Sequence, residues 1–160
     1  MNWIPRYEEV TIPGTTMRVP KRFFGYTVGE SLVPSKVADY QLLRFGKWGP
    51  FVGMYLNPAT DEVVTCVDRP MAQPRLVNST LALFRATTKA VIALFPYYDR
   101  RAELEDREAV AARVAKVIGA IDEPAMTPDT FWATFVDDLV IGDFATEDIL
   151  EPDRSAPSEP

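Results

Sequence analysis

Histidine is absent from the 160 residues, and cysteine occurs once, at Cys66. Without histidine the chain lacks the commonest general base, the usual activator of a serine or cysteine nucleophile, and the commonest transition-metal ligand. A single cysteine forms no intrachain disulfide, and no Cys/His cluster of the kind that holds zinc can be assembled. Cys66 lies in the apolar run "EVVTCV" (62–67) and reads as a small core residue. Neither a G-x-G-x-x-G fingerprint nor a P-loop is present, so phosphate-cradling nucleotide sites have no support. Long apolar runs are missing too. The longest candidate is interrupted by Arg85 and Lys89, short of the ~18 residues a membrane span requires. The opening "MNWIPRYEEVTIPG" has no basic region followed by an apolar one, so a cytoplasmic, non-membrane protein is expected.

What is present is an ordinary globular composition, 47% apolar and 25% charged, in a chain long enough for one domain with its own core. The net charge of −6 is distributed unevenly. Residues 1–75 carry 9 Lys/Arg against 7 Asp/Glu, whereas residues 76–160 carry 8 against 16. Beyond residue 136, Asp137, Asp138, Asp143, Glu147, Asp148, Glu151, Asp153 and Glu159 face Arg154 alone. Such a surface repels a phosphate backbone and attracts a basic partner, so nucleic-acid binding is not expected. Adjacent carboxylates occur at Asp61-Glu62, Glu105-Asp106, Asp122-Glu123 and Asp137-Asp138. Each sits beside a turn or a helix end, where solvated acids are ordinary, and all four pairs are read as solvated rather than catalytic.

The first half reads as strands and turns. Eight of the 14 prolines precede residue 75. "YQLLRF" (40–45), "FVGMYL" (51–56) and "EVVTCV" (62–67) are short β-branched and aromatic runs separated by "GKWGP" and "NPATD", both turn compositions. These links predict a three-stranded antiparallel meander, with "RLV" (75–77) adding a short fourth strand. Alternation in 51–56 predicts one face, Val52, Met54 and Leu56, against helices. The other face, with Tyr55, is expected to be aromatic and partly solvated. In 1–36 the expectation is extended chain, with a strand near Met17 and Val19 and a helical turn near Ser35 to Ala38. Trp48 is placed in a tight turn between Gly46 and Gly49.

The second half reads as helices. Asn78 or Ser79 can cap a helix over 79–95. Two apolar stripes, one through Phe84 and Val91 and one through Leu83 and Ala90, predict burial on more than one side. Asn78-Ser79-Thr80 also matches a glycosylation acceptor, which has no purpose in a cytoplasmic protein. Val110, Val114, Val117, Ile118 and Ile121 form a clean amphipathic pattern in 106–122. A third helix is expected with Thr127 as cap, Pro128 at its first position, Phe131, Trp132 and Phe135 in the core, and Gly142 at its end.

In this order the segments resemble a known family. "FGKWGPFVGMYLNPATDEVV" (45–64) resembles the strand–turn–strand segment of the SUKH superfamily of bacterial immunity proteins. "LVNSTLALF" (76–84) resembles the entry into the long helix in that superfamily's fourth group. "MTPDTFWATFVDDLVIGD" (126–143) is similar to its Phe-Trp helix. The resemblance covers about residues 40–145. It implies an α+β fold, an antiparallel β-meander sheet packed against about three C-terminal helices. It also implies a protein without catalytic function that binds and neutralises a toxin, often a nuclease or deaminase. The superfamily's interaction modules supply the alternative, a non-catalytic adaptor in a larger assembly.

The expected partner is therefore a basic toxin domain. No cofactor, metal or catalytic residue is assigned. The expected contact residues are Asp137, Asp138, Asp143, Glu147 and Asp148, with Trp48 as an aromatic contributor. Residues 1–150 are expected to form the single domain, and the polar, proline-rich 151–160 a disordered acidic tail. A chain truncated after Leu150 should keep the parental melting temperature. A fall of more than a few degrees would show that the tail docks on the domain.

Overall fold

Two separate sheets are built from the first half of the chain, and all the helices from the second. The computed structural model describes residues 7–20, 26–48, 51–67 and 69–150, with the backbone alone for 26–31 and Trp48. The expected tail 151–160 lies outside the described residues. Strands β1 (Tyr7–Ile12) and β2 (Thr15–Pro20) form an antiparallel hairpin. Pro13 and Gly14 turn it, Gly14 at φ +87 taking the left-handed position that a following residue with a Cβ resists. Arg85 Nη1 donates to the Pro13 carbonyl at 2.6 Å and fastens this turn to the first helix.

The second sheet has five strands in sequence order: β3 (Tyr26–Val37), β4 (Tyr40–Trp48), β5 (Val52–Leu56), β6 (Val63–Val67) and β7 (Arg75–Asn78), each antiparallel to the next. The expected meander is present, extended by one strand at its start. Two local expectations give way to strand pairing. Ser35 to Val37 belong to β3 rather than to a helical turn, because they pair with Gln41, Leu42 and Tyr40; the turn is Ala38-Asp39, with Ala38 at φ +51. Trp48 is the last residue of β4, paired with Val52, and not part of a tight turn. Between β5 and β6, Asn57 Oδ1 accepts from the Ala59 N–H at 3.0 Å, and Asp61 turns back at φ +65. This is the side-chain-to-backbone bonding expected of that composition.

The sheet is buried on both faces. Phe45, a bulge residue of β4, lies with Met54, Val63 and Val77 against the helices. The opposite face holds Val37, Leu42, Tyr55, Val64 and Cys66, covered by Ala72 from the β6–β7 connection. Tyr40 in turn donates its hydroxyl to Gln73 at 2.9 Å. Tyr55 is therefore buried, not partly solvated as expected, because Ala72 packs on that face with it; Phe51 is the exposed aromatic of the run.

Helix α1 (Leu81–Ala93) lays Phe84, Thr87, Thr88 and Val91 on the sheet, Phe84 edge-on to Phe45 with ring centres 5.7 Å apart. Only this face is fully buried; of the second stripe Leu83, Ala90 and Leu94 are half-buried, Leu94 packing against the core, and Ala86 is exposed. Helix α2 (Leu104–Ile121) buries Ala111, Val114 and Ile118. A 3-10 turn (Glu123–Met126) leads to α3 (Phe131–Ile141), whose Trp132, Phe135 and Leu139 complete the core, and a short α4 (Thr146–Ile149) closes the domain. Thr130, not Thr127, caps α3, because Thr127 is spent on the 3-10 turn through Pro124 O, while Thr130 Oγ1 accepts from the Ala133 N–H. Gly142 ends α3 as expected, at φ +111.

The segment Asn78-Ser79-Thr80 is neither a glycosylation site nor one simple cap. Thr80 caps α1, accepting from the Leu83 N–H at 3.1 Å. Asn78 and Ser79 are unavailable for capping because both bind Asp122, at the end of α2. Asp122 accepts from Asn78 Nδ2 (2.9 Å), from the Ser79 N–H (2.8 Å) and from Ser79 Oγ (2.7 Å). Asn78 also donates to Thr87 Oγ1 at 3.1 Å and accepts from the Trp132 indole at 2.9 Å. Asp122 is 4% exposed and Asn78 fully buried. The pair Asp122-Glu123 is thus not solvated as expected: chain reversal at the end of α2 turns one acid into the core and leaves its neighbour outside.

Removing Asp122 strands a buried amide and a backbone N–H. Asp122→Ala should cost about 3–5 kcal/mol in a denaturant melt, whereas Glu123→Ala should stay within about 0.5 kcal/mol. Equal effects of the two substitutions would show that the network is not holding the fold.

Candidate functional site

The expected contact acids occupy the far end of α3 and the residues that follow it. That end is held rigidly. Tyr98 donates its hydroxyl to the Leu139 carbonyl at 2.7 Å and accepts from the Phe144 N–H at 3.3 Å. Arg107 Nη1 donates to the Ile141 carbonyl at 2.6 Å, passing through the space a side chain at Gly142 would need. The N–H groups of Gly142 and Asp143 both return to Asp138 O at 3.1 Å. The carbonyls of Asp138, Leu139 and Ile141 are therefore satisfied by backbone, a phenol and a guanidinium.

Around this terminus stand Asp137, Asp138 and Asp143. Among the described residues, none of the three makes a salt bridge or a side-chain hydrogen bond. Partial burial holds the Asp138 carboxyl above its usual range, and the charges of Asp143 and then Asp137 push it the same way. The negative end of the helix dipole adds to the repulsion. Arg107 stands close enough to influence Tyr98, as do Asp143 and Asp138, but its guanidinium is committed to the Ile141 carbonyl.

Glu147 and Asp148 are used differently. Arg100 donates its backbone N–H to Glu147 Oε2 at 3.0 Å, and its guanidinium forms an ion pair with Asp148. These two acids also sit in the first turn of α4, where the dipole favours them. The acidic run thus splits into an uncompensated trio and a pair that staples α4 to the α1–α2 connection. Trp48 is not brought to either group: β4 lies three strands from β7, the strand on which α3 packs. Its side chain is outside the described residues.

Sequence reasoning missed Arg100, Tyr98 and Arg107, which lie 34 to 48 residues from their partners. It also missed Ile141, which is 66% exposed. Its spacing of four from Asp137 and three from Asp138 is the signal that would have grouped them. Among the described residues no group of His, Cys, Asp and Glu could hold a metal ion, and no helix is long and apolar enough to cross a membrane. What this surface offers is fixed negative charge around an exposed aliphatic side chain.

The model of the SUKH-4 immunity protein family matches residues 5–138. The chain belongs to that family. No curated protein and no solved structure matches it. The SUKH-4 match spans both sheets, α1, α2 and every residue of the Asp122 network. It stops at Asp138, so Ile141, Asp143, Glu147 and Asp148 lie beyond it.

The charge on Asp138 opposes the fold that carries it. A carboxyl whose pKa is raised on folding contributes stability below the ordinary carboxylate range and loses it as pH rises through the raised value. Asp138→Asn should therefore melt higher than the parent at pH 7, with the gap closing as pH falls towards 3. A gap that is constant or widens on acidification would remove this account of Asp138.

Proposed function

We propose that this SUKH-4 protein confers immunity by binding a toxin one to one, and that the toxin is a basic domain, a nuclease or deaminase. The family supplies the coarse reading, toxin immunity. The observation that carries the finer one is the trio Asp137, Asp138 and Asp143, held at a helix terminus without a compensating ion pair among the described residues. Charges placed where they oppose one another and the helix dipole favour a cation supplied from outside. A toxin that grips phosphate or a nucleobase strand with Lys and Arg brings such cations, and covering them blocks its substrate. Glu147 and Asp148 add to the field while serving Arg100, and Trp48 is a contact only for a partner reaching the sheet.

The test uses the toxin domain together with the triple variant Asp137→Asn, Asp138→Asn, Asp143→Asn. Steering predicts a fall in kon of about tenfold at low salt and a flatter dependence of kon on ionic strength, with no loss of melting temperature. Trp48→Ala should act on koff if the indole is buried in the complex. A triple variant that associates as fast as the parent at low salt would remove the acidic trio as the recognition surface.

A further inference from the structure

Ile141 and Leu104 are large apolar side chains that the fold leaves in solvent, 66% and 50% exposed. Single exposed aliphatics are ordinary. These two come from helix ends that meet. Ile141 is the last residue of α3 and Leu104 the first of α2, and Arg107, one turn beyond Leu104, donates to the Ile141 carbonyl at 2.6 Å. Arg107 uses only that backbone oxygen. Asp137 and Asp138 lie one turn before Ile141 and Asp143 two residues after it, so acids flank the aliphatic group along the chain on both sides. An apolar centre within a charged rim is the usual anatomy of a specific protein interface, the centre setting lifetime and the rim setting encounter.

We propose that Ile141, with Leu104 at the start of the neighbouring helix, is the apolar anchor of the partner-binding surface, taking a partner protein that presents an apolar side chain or shallow pocket ringed by Lys and Arg. The proposal rests on the toxin-binding reading above and adds to it the residues that decide how long the complex lasts. Charge complementarity selects the occupant: uncompensated carboxylates repel nucleic acid and anionic lipid and attract a basic protein surface. Phe51 and Met71 are also exposed, 71% and 89%, but they lie on the connections leaving β4 and β6, away from the acidic run in sequence.

The probe is the purified C-terminal domain encoded by the reading frame adjoining this one, tested first against the parent chain. If the parent neither binds it nor relieves its toxicity, the toxin-binding reading fails and the anchor fails with it. If the parent binds, Ile141→Ser and Leu104→Ser should each raise koff, Ile141→Ser by about tenfold. Both should leave kon, its salt dependence and the melting temperature unchanged. A parental koff in both variants would overturn the anchor while leaving immunity by binding intact. A photoreactive benzoylphenylalanine at position 141 should cross-link to the bound domain and one at position 51 should not; the reverse pattern would move the interface to the sheet and overturn the proposal.

Discussion

The fold turns on one buried carboxyl group. Asp122 accepts from the side chain of Asn78 and from both the backbone and hydroxyl of Ser79, and Asn78 passes the connection on to Thr87 and Trp132. Four elements, β7, α1, the end of α2 and α3, meet there through groups that cannot be left unpaired in an apolar interior. Apolar packing around them would tolerate helices that slide or rotate. The hydrogen bonds admit one arrangement, since a shift of an ångström strands several donors at once. Rigid placement of α3, on which any surface at its end depends, follows from Trp132 being held at Asn78.

Much of this architecture is legible along the chain, because it is written in local periodicity. The runs at 40–45, 51–56, 62–67 and 75–77 appear as β4 to β7. The pattern of Val110, Val114, Ile118 and Ile121 appears as α2, and Gly142 ends α3 in the left-handed conformation. What periodicity cannot reveal is which of two similar residues the tertiary fold will use. Asp122 and Glu123 are adjacent acids with opposite fates. Thr127 and Thr130 are both plausible caps, and the 3-10 turn takes one and leaves the other. Asn78, Ser79 and Thr80 are all competent caps, and only a carboxyl 43 residues away decides between them. These choices depend on long-range hydrogen bonds, and a local pattern contains no trace of them.

The candidate site divides along the same line. An acidic run is visible in composition, but its meaning depends on Arg100, which removes Glu147 and Asp148 from the uncompensated set through a contact 47 to 48 residues away. Without that pairing all five acids look equivalent. With it, two belong to the construction of the domain and three do not. The family match stops at Asp138 and includes the whole Asp122 network. The shared frame therefore takes in Asp137 and Asp138, and Ile141 and Asp143 lie past its end on the same helix terminus.

That division bears on why the trio stands at a helix C-terminus. Solubility is obtained from acids anywhere on the surface, and the least costly positions are helix N-termini, where Glu147 and Asp148 sit. Asp137, Asp138 and Asp143 occupy the opposite kind of position. They crowd a terminus whose dipole repels them, and burial opposes the charge on Asp138. The carbonyls of that terminus could have been met by a Lys or Arg in the last turn of α3, beside the acids themselves. Instead Tyr98, which carries no charge, takes Leu139 O, and Arg107 reaches in from α2 to take Ile141 O. The helix end is thereby capped without its acids being paired. A surface left without salt bridges among the described residues, on a helix tied into a buried network, is suited to the basic partner proposed above.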